Sequence, residues 1–98
     1  MCAVFNELTA QEDTDEQLAA YYYREGEFEK ALLYYEKLFD ESPSDENYEY
    51  YFNSLLAIEN YKEAQRLAEK QAKSHPNNIS FQIDVGRVLI KAGEPDKA

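Results

Sequence analysis

One cysteine, one histidine, three glycines and three prolines in 98 residues leave little material for catalytic or metal chemistry. A lone Cys2 cannot close an intramolecular disulfide, so no disulfide framework holds the fold, and its solitude weakly favours a reducing compartment. A zinc site needs about four sulfur or nitrogen ligands, and Cys2 with His75 falls short of that. His75 stands next to Pro76, at an expected helix end, where an imidazole complements the helix dipole. The three glycines are isolated from one another, so no phosphate-cradling loop exists. No apolar run approaches the roughly 18–20 residues that span a bilayer. Bases are scarce too. Ten Lys and Arg face 20 Asp and Glu, a net charge of −10. Residues 1–49 hold 14 acids and 3 bases, whereas residues 50–98 hold 6 acids and 7 bases. An acidic half of this kind repels phosphate backbones and anionic membrane surfaces, which argues against nucleic acid as a partner. It suits a solvated surface or a basic or mixed-charge partner.

The acids themselves do not group into a cation site. Glu12, Asp13, Asp15 and Glu16 read as favourable charge at a helix N-terminus. Asp40, Glu41, Asp45 and Glu46 lack the alternating oxygen ligands and the glycine of a calcium loop. With no converging nucleophile, base and oxyanion donor, neither enzymatic activity nor a cofactor or metal is expected.

What is present is repetition. Gly26-Glu27-Phe28-Glu29-Lys30-Ala31, Asn60-Tyr61-Lys62-Glu63-Ala64 and Gly93-Glu94-Pro95-Asp96-Lys97-Ala98 are variants of one phrase. Their alanines lie 33 and 34 residues apart, and Pro43 and Pro76 lie 33 apart in the same phase. A period of this length marks a stacked array of supersecondary units. Within each period the apolar residues follow helical spacing. Leu18, Ala19 and Tyr22 recur as Tyr51, Phe52 and Leu55, then as Val85, Gly86 and Leu89. Ala31, Tyr35 and Leu38 recur as Ala64, Ala68 and Gln71, of which Gln71 fits least well. The small members (Ala19, Ala31, Ala64, Ala68 and Gly86) are expected to let helix axes approach closely, with aromatics filling the space beside them. Tyr21-Tyr22-Tyr23 circles a helix at about 100° per residue, so at most two of the three rings face a core.

Punctuation divides the pattern into helices. Thr14 with Gln17 is a capping-box pair. Gly26 and Gly93 supply left-handed helix ends, Pro43 and Pro76 cannot continue a helix, and Asp45 and Asn78 are the expected N-caps of the helices that follow. The helices predicted are 14–25, 28–41, 45–58, 61–74 and 79–92.

A helix pair of 34 residues with these marks resembles the tetratricopeptide repeat. The resemblance covers residues 12–98, with repeats at 12–44, 45–78 and 79–98, the last stopping after its first helix. Three positions depart from the family pattern. Asp15 stands where a bulky residue is usual, Phe52 where a small one is, and Glu59 where a glycine is. The fold implied is all-α, an α-solenoid of antiparallel helix hairpins, about two and a half repeats in a right-handed superhelical array. The resemblance also implies a concave groove lined by the first helix of each repeat. Matched residue by residue, the groove candidates are Gln17, Tyr23, Arg24, Tyr50, Asn53, Asp84, Arg87 and Lys91. Glu16, Ala20, Glu46 and Leu56 are among the other positions expected to line it.

The function implied is a scaffold that holds a protein or peptide in that groove. Family members that grip the carboxylate end of a chaperone tail use basic and amide residues at positions occupied here by Asp13, Gln17, Glu46, Tyr50, Ser80 and Asp84. This lining is expected to repel such a tail. The other role considered is assembly. The last helix would leave Val85, Val88 and Leu89 without a lid, a face suited to self-association or to the next repeat of a longer array. Residues 1–11 are read as a loosely docked extension. The cytoplasm is the starting expectation for location; export to a bacterial cell envelope is the alternative if that extension is the remnant of a signal peptide.

Overall fold

Every punctuation mark in the pattern coincides with a helix boundary. The structure is a computed structural model that describes residues 14–93. Among those residues the protein is all-helical, with α1 (Asp15–Arg24), α2 (Phe28–Glu41), α3 (Asp45–Ala57), α4 (Tyr61–Ser74) and α5 (Ile79–Lys91). Each helix matches its predicted segment to within one residue at either end. The extension 1–11 with Cys2, the acids Glu12 and Asp13, and the third-copy residues 94–98 lie outside the described residues.

The helix starts follow from local hydrogen bonding. At α1 the Thr14 hydroxyl accepts from the Gln17 N–H at 3.1 Å, and the Gln17 side chain accepts from the Thr14 N–H at 3.0 Å. Two donors that would otherwise be orphaned are satisfied reciprocally. At α3 the expected cap is corrected. Ser44, not Asp45, is the capping residue, its hydroxyl accepting from the Asn47 N–H at 3.1 Å. Asp45 instead takes a place in the first turn, where its charge meets the positive end of the helix. Asn78 caps α5 by accepting from the Ser80 N–H at 3.1 Å, and Asn60 caps α4 through the Glu63 N–H at 3.3 Å.

Three helix ends share one geometry. Gly26, Glu59 and Gly93 have φ of +79°, +62° and +80°. At the first end the Gly26 N–H donates to Tyr23 and the Glu27 N–H to Tyr22, at 3.1 and 2.8 Å. At the second, the Glu59 N–H donates to Leu56 and the Asn60 N–H to Leu55, at 3.0 and 2.9 Å. This paired motif closes a helix by turning one residue left-handed. Glu59 adopts the left-handed shape that Gly26 and Gly93 adopt, at a cost in backbone strain.

The chain divides into two units, residues 1–51 and 52–98, with the division falling inside α3. In the first unit α1 packs antiparallel to α2 around Ala19, Ala31, Tyr35 and Leu38, all buried. Ala19 and Ala31 have no exposed surface, so the two backbones meet with little between them. Asp15 pairs with Lys37 at 2.8 Å, so an ion pair links α1 to α2. Tyr22 and Tyr23 pack against the core, and Tyr21 is exposed.

In the second unit α4 packs on α5. Its buried side chains include Phe52, Leu55, Leu56, Ala64, Leu67, Ala68, Phe81 and Val88. Phe52 is almost wholly buried, and the Arg87 guanidinium lies over its ring, 5.5 Å from the centroid. Three expectations are corrected here. Leu56 is buried, because its side chain points into the packed side of α3 and not outward. A Cβ built at Gly86 meets nothing within 4 Å, so this glycine marks no close helix approach among the described residues. Val88 is buried, and Val85 and Leu89 are half-buried. The apolar side chains that α5 exposes are Ile79, Ile83 and Ile90, at 65%, 56% and 60%, one stripe at helical spacing.

Candidate functional site

The first unit contains a cleft of about 510 Å³, open on one side. Helix α1 contributes Glu16, Ala20, Tyr23 and Arg24; α2 contributes Tyr35 and Leu38; the start of α3 contributes Glu46, Asn47 and Tyr50. On α1, residues 16, 20, 23 and 24 are spaced at four, three and one, which places them on one helix face. On α3, residues 46, 47 and 50 share a face for the same reason. Helical period and capping thus set which side chains point into the cleft, and packing of α1 on α2 sets its depth.

Three tyrosine rings form its apolar wall. Tyr35 and Tyr50 stack at 5.1 Å between centroids with 15° between planes. Tyr23 stands edge-on to both, 6.1 Å from Tyr35 and 5.0 Å from Tyr50. Tyr23 also meets Phe28 edge-on at 5.3 Å. Edge-on and stacked contacts each add to plain area burial. Because the rings touch one another, no gap between them is wide enough for a ligand.

Electrostatics separates the members of the cleft. Tyr35 is 4% exposed, and burial pushes its hydroxyl up to about 12, with Tyr50, Tyr23 and Glu46 adding to the effect and Arg24 opposing it. It is a phenol at every physiological pH and keeps its proton as a donor. No described residue hydrogen-bonds that hydroxyl. Asn47 is already engaged: its amide nitrogen donates to the Ser42 carbonyl at 2.9 Å and, more weakly, to Leu38 at 3.4 Å, closing the end of α2. The other two bases of this unit are held elsewhere. Lys30 pairs with Glu27 at 3.0 Å and lies over the Tyr22 ring, and Lys37 pairs with Asp15 at 2.8 Å; each lysine is raised above its ordinary value by its carboxylate. Glu16 and Glu46 form no ion pair among the described residues.

Of the eight groove candidates, Tyr23, Arg24 and Tyr50 come together in this cleft. Gln17 is spent in the α1 capping box. Asn53 follows Tyr50 by one turn on α3, falls in the second unit and is half-buried. Asp84 and Arg87 bind each other at 2.9 Å on α5, and Lys91 is exposed in the last turn of that helix. Tyr35, Leu38 and Asn47 were not foreseen as lining residues. The first two read as core by spacing, and Asn47 carries no local signal for the cap it makes.

Among the described residues no group of three or more His, Cys, Asp or Glu could hold a metal ion, and no helix is long and apolar enough to cross a membrane. His75 ends α4, its ring within 3.3 Å of the Gln71 carbonyl and 5.7 Å from Phe81, a structural placement. No family model, no curated protein and no solved structure matches the chain.

Proposed function

We propose that this protein is a non-enzymatic interaction scaffold of the tetratricopeptide kind, an α-solenoid of helix hairpins that holds an extended peptide or partner segment on its concave side. Support for the repeat comes from phase. The left-handed helix ends at 26, 59 and 93 lie 33 and 34 residues apart, the same intervals as the alanines at 31, 64 and 98. Ala31 and Ala64 also have identical burial, with no exposed surface. The observation that carries the binding role is the tyrosine-walled cleft of the first unit, which unites Tyr23, Arg24 and Tyr50. Rigid amphipathic rings beside a few charged groups suit peptide recognition, since they offer large contact area at low entropic cost. The cleft variants Tyr23→Ala and Tyr50→Ala test the role, with circular dichroism as a check on folding. Loss of partner capture by a folded variant is expected. Undiminished capture by both would refute the assignment.

Assembly is the second reading, and the exposed stripe Ile79, Ile83 and Ile90 on α5 favours it. Contiguous apolar surface of this kind marks association sites. Light scattering of Ile83→Glu and Ile90→Glu against the parent chain tests self-association through α5: a drop in mass is expected, and a monomeric parent removes self-association.

A further inference from the structure

We propose that the cleft of the first unit selects a basic peptide segment, admitting an arginine or lysine side chain between the carboxylates of Glu16 and Glu46 and the outer faces of the Tyr23 and Tyr50 rings. The inference rests on the scaffold reading and adds to it the chemistry of the guest.

Charge complementarity is the first ground. Residues 14–51 carry 11 acids and 3 bases, a net −8. Two of those bases, Lys30 and Lys37, are held by Glu27 and Asp15 outside the cleft, which leaves Arg24 as the cation of its lining. Glu16 and Glu46 come from two different helices, carry no ion pair among the described residues, and line the same cavity. A guest carboxylate would meet both of them, whereas a guest cation would satisfy them.

The second ground is the tyrosines. A cation placed over an aromatic face is attracted by the ring quadrupole, and an arginine can stack on a ring while its fork reaches a carboxylate. The mutual contact of Tyr23, Tyr35 and Tyr50, with centroids 5.0–6.1 Å apart, leaves no cage for a quaternary ammonium group and puts the cation on the outer faces. The third is Tyr35, which lines the cleft with a side chain 96% buried and whose hydroxyl has no hydrogen-bond partner among the described residues. A peptide carbonyl beside the cationic residue would accept its proton. The cleft volume of about 510 Å³ holds one long side chain and its flanking backbone.

The test uses the full chain and three fluorescent peptides with blocked ends. They are identical except for a central arginine, glutamine or glutamate with leucine and serine neighbours, and binding is read by fluorescence anisotropy up to millimolar protein. The arginine peptide is expected to bind about tenfold more tightly than the glutamine peptide, with the glutamate peptide weakest. Glu16→Gln with Glu46→Gln, both at exposed positions that leave the fold intact, should remove most of that preference. Tyr35→Phe should weaken all three peptides several-fold. Binding of the glutamine or glutamate peptide as tightly as the arginine peptide overturns the cation inference and leaves the scaffold reading standing. An arginine preference untouched by the double variant overturns the assignment to this cleft. No binding by any peptide counts against both readings of the cleft.

Discussion

Replacing Glu59 by glycine should make the protein more stable, although the change removes a whole side chain. Glu59 sits at φ +62° and closes α3 through its own N–H to Leu56 at 3.0 Å and that of Asn60 to Leu55 at 2.9 Å. An L-residue in the left-handed region costs about 1–2 kcal/mol through contact of its Cβ with the following carbonyl. Glycine removes that cost, and its greater freedom in the unfolded chain returns about 0.5–1 kcal/mol of the gain. The exposed Glu59 side chain makes no ion pair among the described residues, so little else is lost. The net gain is about 0.5–1 kcal/mol, or roughly 3–6 °C in Tm for a domain of this size. Urea and thermal unfolding followed by circular dichroism at 222 nm would measure it. Glu59→Ala serves as the control, since it removes charge and length but keeps the Cβ. The reasoning fails if Glu59→Gly is no more stable than Glu59→Ala.

Other substitutions probe packing and burial. No described residue comes within 4 Å of a Cβ built at Gly86 inside α5, so Gly86→Ala should stabilise by up to about 1 kcal/mol through helix propensity alone; destabilisation in a urea melt would mean that a neighbour approaches closely. Ser54 is fully buried and its hydroxyl has no hydrogen-bond partner among the described residues, so Ser54→Ala should raise stability by about 1 kcal/mol, and a loss of stability in a urea melt would imply a partner for that oxygen. Tyr35 should titrate late in an absorbance titration at 295 nm, near pH 12. Because the folded chain holds this proton more tightly than the unfolded one, the stability it contributes is intact below about pH 10 and falls as pH rises towards 12. Tyr35→Phe should flatten that decline, and a wild-type melt independent of pH over this window would contradict it.

The sequence by itself determined the helices and their ends. Period and caps are local matters: Thr14 with Gln17, Asn78, the left-handed Gly26 and Gly93, and the helix-ending Pro43 and Pro76 act over a few residues, so their effect is readable without knowing what packs on what. The alanines at 19, 31, 64 and 68 were legible as contact points for the same reason, being small residues in phase on an apolar face. Three members of the cleft, Tyr23, Arg24 and Tyr50, were legible through the repeat pattern. Tertiary structure decided the rest. Tyr35 is core by spacing, yet packing leaves its edge lining the cleft; Asn47 reaches back to close α2; Arg87 turns onto Phe52 and Asp84. Glu59 lies between the two: a glutamate by itself announces no positive φ, but it stands in phase with Gly26 and Gly93, and the local hydrogen bonds that end α3 hold it in the same left-handed shape. Local preference sets where a helix begins and stops, whereas contacts between helices choose which side chains remain free to meet a partner.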